Sequence, residues 1–394
     1  MSSFEVAVIG LGAMGSAALF HLARRGVKAI GIEQFTPGHD RGSSHGESRA
    51  IRLGYFEHPS YVPLVRSAYE NWREVEQLTG ETVLTTTGIV EAGRPGSQLV
   101  AGSLEACLLH GLEHELLSPA EVRRRFPAIE LPDDYSAMFQ PQGGFVRADL
   151  ANSLHLRLAR QAGATILTNT KVAAVEPQRE GVRIATGDGT IEAGRVVVSA
   201  GPWITELVPD LMRYITLNRM VLTWYEPKRP ELFGLDRLPV FAIEDEDDLV
   251  YGFPDFAGTG LKCASHYSSG RLPRADAARQ DAGPTDEART RRFLERHLPE
   301  GAGRLKAMKT CIYTMTPDED FVIDLLPSDP RIVVASPCSG HGFKFASVIG
   351  EILADLSTGG ATRHDISRFR VSRFDGSGAG GSGQPALGAR GEGG

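Results

Sequence analysis

The 394-residue sequence has few aromatic residues, few cysteines and no excess of positive charge. Lys and Arg total 42 against 49 Asp and Glu, and the net charge of −7 excludes a chain-wide attraction for nucleic acid or anionic membranes. No apolar run reaches the roughly 18–20 residues that a membrane span needs. The four cysteines show no CxxC spacing, so we expect neither a disulfide framework nor a bound metal.

The amino terminus lacks the features of a secretion signal. Met1-Ser2-Ser3-Phe4 leads directly into an apolar strand, without a basic segment or a cleavage site. The remaining composition, 41% apolar and 23% charged, is that of an ordinary globular protein. We therefore expect a cytoplasmic protein whose length fits two domains, or one large α/β domain with an insertion.

The first 34 residues show the β-α-β pattern of a dinucleotide-binding unit. A short apolar strand precedes Gly10-x-Gly12-x-x-Gly15, a helix is predicted over 16–25, and a second strand ends at Glu33. Gly10 permits a tight turn, Gly12 lets the backbone approach a pyrophosphate, and Gly15 lets helix and strand pack closely. The helix N-terminus offers N–H groups to the phosphates. Glu33 is expected to accept two ribose hydrogen bonds and disfavours NADP, but the loop does not separate FAD from NAD.

The rest of the chain has α/β signals near both ends and strand signals in the middle. Asp149 is a plausible N-cap for one of its helices. We predict helices at 61–78, 150–162, 285–298 and beyond Lys344, and strands at 83–92, 165–175, 182–185, 190–193, 196–198, 332–335 and within 215–267. Because both ends return to one nucleotide-binding sheet, the pattern indicates interleaved domains.

A loop rich in glycine, serine and basic residues follows the dinucleotide unit, over 41–55. Arg49 and Arg52 are three residues apart and would share one face of a helical turn. Two guanidinium groups on one face suit a carboxylate or a phosphate, since each offers two parallel N–H donors. The alternative interpretation is a solvated surface loop.

Three blocks carry a family resemblance, at 42–52, 311–324 and 339–346. In this order and spacing they resemble the family of monomeric sarcosine oxidase and N-methyltryptophan oxidase. The resemblance covers residues 4–374 and implies an α/β fold, with a Rossmann-like FAD-binding domain of the glutathione-reductase type interleaved with an α+β substrate domain on a mixed sheet. We expect the FAD-binding domain at 1–80, 150–215 and 320–374, the substrate domain at 81–149 and 216–319, and a flexible Gly-rich tail at 375–394.

The chemistry that the resemblance implies is oxidation of the C–N bond of a secondary amino acid. A hydride equivalent passes to the flavin, and molecular oxygen reoxidises it and becomes hydrogen peroxide. The flavin carries the redox step, so the protein binds, orients and tunes charge. The resemblance also implies a covalent bond from FAD to Cys311, a small amino acid substrate and a monomer.

Site residues follow from the same resemblance. Arg52 and Lys344 match a clamp for the substrate carboxylate, and Lys262 matches a lysine that activates oxygen over the flavin. The turn Gly340-His341-Gly342 brings backbone N–H groups toward a flavin carbonyl. The other residues implied are Tyr251, His266, His45 and Arg49 for catalysis, Tyr313 for the substrate, and Ser43, Ser44, Val172, Phe343 and again Lys344 for the cofactor.

Two departures leave the substrate open. The best-known members have a second histidine where this chain has Ser44, and an aspartate where it has Glu47. Sarcosine, N-methyltryptophan and cyclic amino acids are therefore all candidates. Other readings are a dehydrogenase with a different electron acceptor, a flavin-binding module without turnover, and an NAD-dependent dehydrogenase, which the late blocks disfavour.

Overall fold

The protein is described from a computed structural model that covers residues 4–246, 248–277 and 281–375. The predicted Gly-rich tail, apart from Asp375, lies outside the described residues. The strands are β1 (Phe4–Ile9), β2 (Ala29–Ile32), β3 (Ser48–Ile51), β4 (Leu84–Thr86), β5 (Ile89–Gly93), β6 (Glu115–Leu117), β7 (Ser136–Gln140), β8 (Gly144–Arg147), β9 (Thr165–Leu167), β10 (Val172–Pro177), β11 (Val182–Thr186), β12 (Gly189–Val198), β13 (Thr216–Glu226), β14 (Val240–Glu244), β15 (Leu249–Phe253), β16 (Leu261–Ser265), β17 (Gly270–Leu272), β18 (Arg304–Met315), β19 (Val322–Leu326) and β20 (Asp329–Ser336).

The helices alternate with these strands mainly at the two ends of the chain. They are α1 (Ala13–Arg24), α2 (Val62–Thr79), α3 (Gln98–His110), α4 (Pro119–Arg125), α5 (Ala148–Gln161), α6 (Ile204–Leu207), α7 (Pro284–His297) and α8 (Ala346–Gly359). Short 3-10 turns join several of them, including Pro59–Tyr61 before α2 and Phe343–Phe345 before α8.

The first sheet holds the nucleotide-binding unit. Strands β9, β2, β1, β12 and β20 lie side by side in parallel, and β10, β11 and β19 extend the sheet in antiparallel pairing. β1 and β2 read as continuous apolar runs because helices cover one face and a second apolar cluster covers the other. Helix α1 packs against α5 and α8. The carboxyl ends of the parallel strands therefore meet at one edge, where ligands of such sheets bind.

The second sheet is mostly antiparallel and has nine strands within the described residues, in the order β17-β13-β16-β15-β14-β5-β7-β6, with β18 paired to β13. Only β5 and β14 run in parallel in it. An apolar cluster around Phe241, Phe293 and Leu294 lies between this sheet and α7. A small third sheet of β3, β8 and β4 connects the basic loop to this region.

Three local predictions are wrong. Residues 48–51 form a strand paired with β8, so Arg49 and Arg52 do not share a helical face. Asp149 lies in the first turn of α5, whose N-cap is Arg147, and its carboxylate accepts a hydrogen bond from the Glu47 amide at 2.8 Å. The strand predicted over 165–175 is two strands, because Asn169 adopts a φ of 56° between them.

The predicted fold class is confirmed, as a mixed α/β structure with a Rossmann-like unit. The hairpin at 182–193 and the parallel strand at 332–335 are also present, whereas α3 and α4 were not predicted. The domain boundaries stay a prediction. In the described part of the chain, no helix is long and apolar enough to cross a bilayer, and no cluster of side chains is suited to a metal ion.

Candidate active site

The dinucleotide loop connects β1 to α1 at the carboxyl edge of the first sheet. Gly10 has a φ of 86°, and a Cβ there would lie 2.6 Å from the Ser199 carbonyl oxygen. A Cβ at Gly15 would lie 1.8 Å from the Gly10 carbonyl oxygen. Both positions thus require glycine, one for its backbone conformation and both for close packing. The hydroxyl of Ser44 crosses from the basic loop and accepts a hydrogen bond from the Ala13 amide at 3.1 Å.

Glu33 lies at the end of β2 and is buried beside this loop. Its carboxylate accepts hydrogen bonds from the Leu11 amide at 2.8 Å and from the Phe35 amide at 3.0 Å. Burial opposes the charged form, but the contacts with His39 and these two amides lower the pKa of Glu33 overall. The acid is therefore held ionised at the position predicted for a ribose contact.

One continuous cavity runs from this loop to the second sheet. Its walls contain most of the predicted site residues, namely Gly10, Gly12, Glu33, Ser43, Ser44, Arg49, Arg52, Val172, Tyr251, His266, Tyr313, Gly340, His341, Gly342, Phe343 and Lys344. Four predicted site residues are not among the described residues that line the cavity: Gly15, His45, Lys262 and Cys311. The cavity therefore connects the dinucleotide loop with the predicted substrate clamp.

The clamp residues are buried and lie among acids. The Arg52 guanidinium donates from Nη2 to Glu57 at 2.8 Å, and its Nε lies 2.8 Å from an oxygen of Glu91. Lys344 Nζ donates to the His341 carbonyl at 2.7 Å and to the Tyr55 hydroxyl at 3.3 Å. Two cations thus meet at the cavity wall, and one of them already has two carboxylate partners.

These partners shift one another's ionisation. Burial, together with the positive charge of Arg52, lowers the pKa of Lys344 to about 7. Burial raises the pKa of Glu57, but the charges of Arg52, His341 and Lys344 and a backbone hydrogen bond together hold that pKa below the ordinary value. Burial raises the pKa of Glu91 to about 7 despite the same arginine. The cluster therefore contains groups that can gain or lose protons near neutral pH.

Lys262 lies on β16 behind the cavity wall and is 2% exposed. Its Nζ donates to the Gly46 carbonyl at 2.6 Å, the Ser48 carbonyl at 2.7 Å and the Ser48 hydroxyl at 3.2 Å. Burial is the larger cause that lowers the pKa of Lys262 well below its ordinary value, and the positive charge of Arg49 is the next. The three oxygen acceptors favour its charged form, so a cation can be held at a fixed point.

Tyr251, Tyr313 and His266 contribute polar aromatic groups to the cavity wall. The hydroxyls of Tyr251 and Tyr313 are 3.2 Å apart, and burial raises the pKa of both phenols. Burial lowers the pKa of His266 to about 4, so the imidazole is neutral at pH 7. Tyr313 and His266 also surround Gly340, where a Cβ would meet both rings. This wall offers hydroxyl and imidazole groups but no fixed charge.

The predicted flavin-contacting turn is compact. The amides of His341 and Gly342 both donate to the Cys338 carbonyl, so they close the turn itself. His341 Nδ1 lies 2.7 Å from the Tyr55 hydroxyl. The first helical turn that follows is the 3-10 turn at Phe343–Phe345, and α8 begins only at Ala346.

Cys311 lies on β18, packed with Met220 and Trp224 and against the partly buried rings of Tyr251 and Tyr313. Arg49 and His45 lie nearby in the basic loop, where Arg49 donates to the carbonyls of Ser43, His45 and Ser48. Cys338, which was not predicted as a site residue, lies on the cavity wall itself.

Four residues in the cluster around Arg52 were not predicted, namely Tyr55, Glu57, Glu91 and Gln140. Glu57 follows Arg52 by five residues, so its proximity in sequence was an available signal. Glu91 interrupts an otherwise apolar strand, a pattern that marks a buried acid with a partner. The identity of that partner depends on tertiary contacts and has no local signal.

The fold and the cavity define a dinucleotide-dependent oxidoreductase. The family model described as FAD dependent oxidoreductase (DAO) matches residues 5–356. The chain is 41% identical over 375 residues to monomeric sarcosine oxidase of Bacillus sp. (strain NS-129), which spans 94% of this chain and 97% of that protein. It is 36% identical over 373 residues to N-methyl-L-tryptophan oxidase of Yersinia pestis (strain Pestoides F), with 94% and 99% covered.

A solved structure agrees with these relatives. The open form of NikD, an unusual amino acid oxidase essential for nikkomycin biosynthesis, superposes with a TM-score of 0.84 at 26% identity, covering 94% of this chain and 98% of that chain. The chain therefore belongs to the DAO family of FAD-dependent oxidoreductases. The predicted family and the predicted use of FAD are confirmed, and an NAD-dependent dehydrogenase is excluded.

Proposed function

We propose that this protein oxidises the C–N bond of a small secondary amino acid, with FAD as the oxidant and molecular oxygen as the final acceptor. The observation that carries the proposal is the single cavity that joins the dinucleotide loop to Arg52 and Lys344. A redox cofactor and an anionic group of a small substrate would share this space. The names of the relatives, sarcosine oxidase and N-methyltryptophan oxidase, support the substrate class.

The residues present fit the cofactor. The loop at Gly10 and Gly15 leaves no room for side chains and brings backbone to the cavity, as a pyrophosphate requires. Glu33 is buried with a lowered pKa at the end of β2, the position predicted for a ribose contact. Bound FAD would supply the two-electron oxidation, for which the side chains of this protein have no equivalent. The protein would hold FAD through this loop, Ser43, Ser44 and the turn at Gly340.

Arg52 and Lys344 would hold the substrate carboxylate. Arg52 Nη2 is now paired with Glu57, which also lies on the cavity wall. A substrate carboxylate would therefore replace Glu57 as the partner of this nitrogen, while Nε keeps its contact with Glu91. Because Arg52 would exchange one carboxylate partner for another, its charge would not be left unpaired in a buried site.

Lys262 would stabilise the negative charge that develops as oxygen is reduced. Its ammonium is fixed by three oxygen acceptors and by the rings of Phe253 and Trp224, at 4.7 and 5.5 Å from the ring centres. A charge that is already held in place in a buried site needs no reorganisation during the reaction.

Cys311 would form the covalent bond to FAD. It is buried beside Tyr251 and Tyr313, both of which line the cavity. That bond would join Sγ to the 8α carbon of FAD, the thiol and the methyl group would each lose one proton, and the two electrons released would pass to oxygen. Cys338 on the cavity wall is the matched alternative, and burial raises the pKa of its thiol to about 11.

The protein would act as a monomer, as the name of its sarcosine oxidase relatives, monomeric sarcosine oxidase, supports. With the predicted boundaries, the dinucleotide loop, Arg52 and Lys344 would belong to the FAD-binding domain, and Tyr251, His266 and Tyr313 on the cavity wall would belong to the substrate domain. A cytoplasmic location stays a prediction.

A substrate panel with peroxide detection tests the function. Purified holoprotein is mixed in air with sarcosine, N-methyltryptophan, proline and pipecolate, and peroxide is measured by a coupled peroxidase assay. We expect peroxide from at least one N-methyl or cyclic amino acid and none from its amide, which lacks the carboxylate. Equal turnover of an acid and its amide would contradict the clamp. Oxidation with a dye but not with oxygen would identify a dehydrogenase.

A further inference from the structure

Glu91 is a fully buried acid in contact with the substrate clamp. It lies on β5, has no exposed surface, and is absent from the described residues that line the cavity. Its Oε1 lies 2.8 Å from Nε of Arg52, whereas Glu57 contacts Nη2 of the same guanidinium. The proposed function gives Glu91 no task, although a buried carboxylate is costly unless a charged partner compensates it.

A hydrogen bond from Gln140 also holds the Glu91 carboxylate. Gln140 on β7 donates from Nε2 to Oε2 of Glu91 at 3.0 Å. The Oε1 atom of the same glutamine accepts a hydrogen bond from the Gly54 amide at 2.7 Å. Because Gly54 is two residues from Arg52, this bridge connects Glu91 to the loop that carries the arginine. Glu91 is therefore held in place and does not depend on Arg52 alone for its position.

The charges in this cluster balance without a ligand. Arg52 and Lys344 are opposed by Glu57 and Glu91. Other titratable groups that interact electrostatically with these four residues include Tyr55, Tyr69, Cys107, His266, Glu319 and His341. An incoming carboxylate would displace Glu57 from Arg52 but cannot reach Glu91, which lies behind the wall. The negative charge of Glu91 would remain and oppose the ligand.

We propose that Glu91 is a specificity-determining residue, an internal counter-ion of Arg52 that weakens the binding of carboxylate ligands and couples it to the uptake of a proton. The inference rests on the proposed function, since it takes Arg52 as the anchor for a substrate carboxylate. Protonation of Glu91 removes the opposing charge when an anion binds. The residue acts through Arg52 and is not itself a substrate contact.

Calorimetry on the FAD-loaded protein tests this without turnover. The probe is methoxyacetate, which is sarcosine with an ether oxygen in place of the amine and which cannot be oxidised to an imine. We expect Glu91→Gln and Glu91→Leu each to bind methoxyacetate about tenfold more tightly, the effect of one charge about 10 Å away at an effective dielectric constant of about 20. Binding of the neutral methoxyacetamide should not change.

Proton uptake provides the second readout, obtained by repeating the titration in two buffers of different ionisation enthalpy. The wild-type protein should take up protons on binding methoxyacetate near pH 7, and both variants should take up fewer. Glu244→Gln is the matched control, because Glu244 lies on neighbouring strand β14 and accepts a hydrogen bond from Ser97. Its affinity and proton uptake should equal those of the wild type.

The outcomes separate the two proposals. If the wild type does not bind methoxyacetate, the carboxylate anchor is wrong and the role of Glu91 falls with it. If the wild type binds and both variants keep its affinity and proton uptake, the role of Glu91 alone is refuted. If Leu weakens binding while Gln preserves it, Glu91 only positions the arginine through a polar contact, which also overturns the proposal.

Discussion

Replacing Arg52 by glutamine is the sharpest perturbation of the clamp. The change removes the contacts to Glu57 and Glu91, both at 2.8 Å, from a side chain that is 7% exposed. Truncating one partner of a buried, hydrogen-bonded charge pair costs about 2–5 kcal/mol, so the dissociation constant for methoxyacetate should rise by a factor of about 30 to about 5,000. Because two carboxylates lose their partner, the free energy of unfolding should fall by about 3 kcal/mol.

Binding is measured by calorimetry and stability by urea denaturation of the same preparations. The control is Arg219→Gln, because Arg219 is also 7% exposed and forms paired contacts to Asp286 at 2.8 and 3.0 Å, outside the cavity. We expect the control to lose stability but to keep its affinity for methoxyacetate. If Arg52→Gln loses stability and retains wild-type affinity, the carboxylate anchor is elsewhere and the reasoning is refuted.

Three further predictions concern neighbouring groups. Lys262→Met should slow reoxidation of the reduced flavin by oxygen about 100-fold, which is the effect of a charge about 6 Å away at an effective dielectric constant of about 20. The rate of anaerobic flavin reduction, also measured by stopped-flow absorbance, should stay within a few-fold of the wild type. Equal losses in both rates would contradict the role of Lys262. Cys311→Ser should release its flavin into the supernatant on acid precipitation, whereas Cys338→Ser should retain it in the pellet; the reverse would reassign the bond. Burial raises the pKa of Glu91 from an ordinary 4.5 to about 7. The free energy of unfolding of the wild type should therefore fall relative to that of Glu91→Gln by about 1 kcal/mol or more as pH rises from 4.5 through 7. A difference in Tm that stays constant across this range would contradict the shift.

The dinucleotide unit could be predicted because its requirements are local. The glycines, the apolar strands and the acid at Glu33 all lie within one short β-α-β segment, and each has a separate steric or hydrogen-bonding reason. The cavity could be anticipated only through the family resemblance, since Arg52 and Lys344 are far apart in the sequence. What brings them together is the packing of the basic loop against the turn before α8.

Most of the features that the sequence did not predict depend on contacts between segments that are distant in the chain. The prediction of a helical turn at Arg49 is wrong because β3 pairs with β8, almost a hundred residues later, and this pairing keeps residues 48–51 extended. The break between β9 and β10 does have a local signal, because Asn169 is a residue type that accepts a positive φ. The pairing of Glu91 with Arg52 joins two sheets and has no counterpart in any periodic pattern.

The most direct test of the proposed function is a single-turnover measurement of flavin absorbance. FAD-loaded protein is mixed with sarcosine, N-methyltryptophan or pipecolate under argon, and air is then admitted. The account predicts that at least one of these amino acids bleaches the visible flavin bands, and that air restores them with formation of one peroxide per flavin. Bands that none of these amino acids changes would contradict secondary amino acid oxidation, and bands that bleach but do not return in air would contradict oxygen as the acceptor.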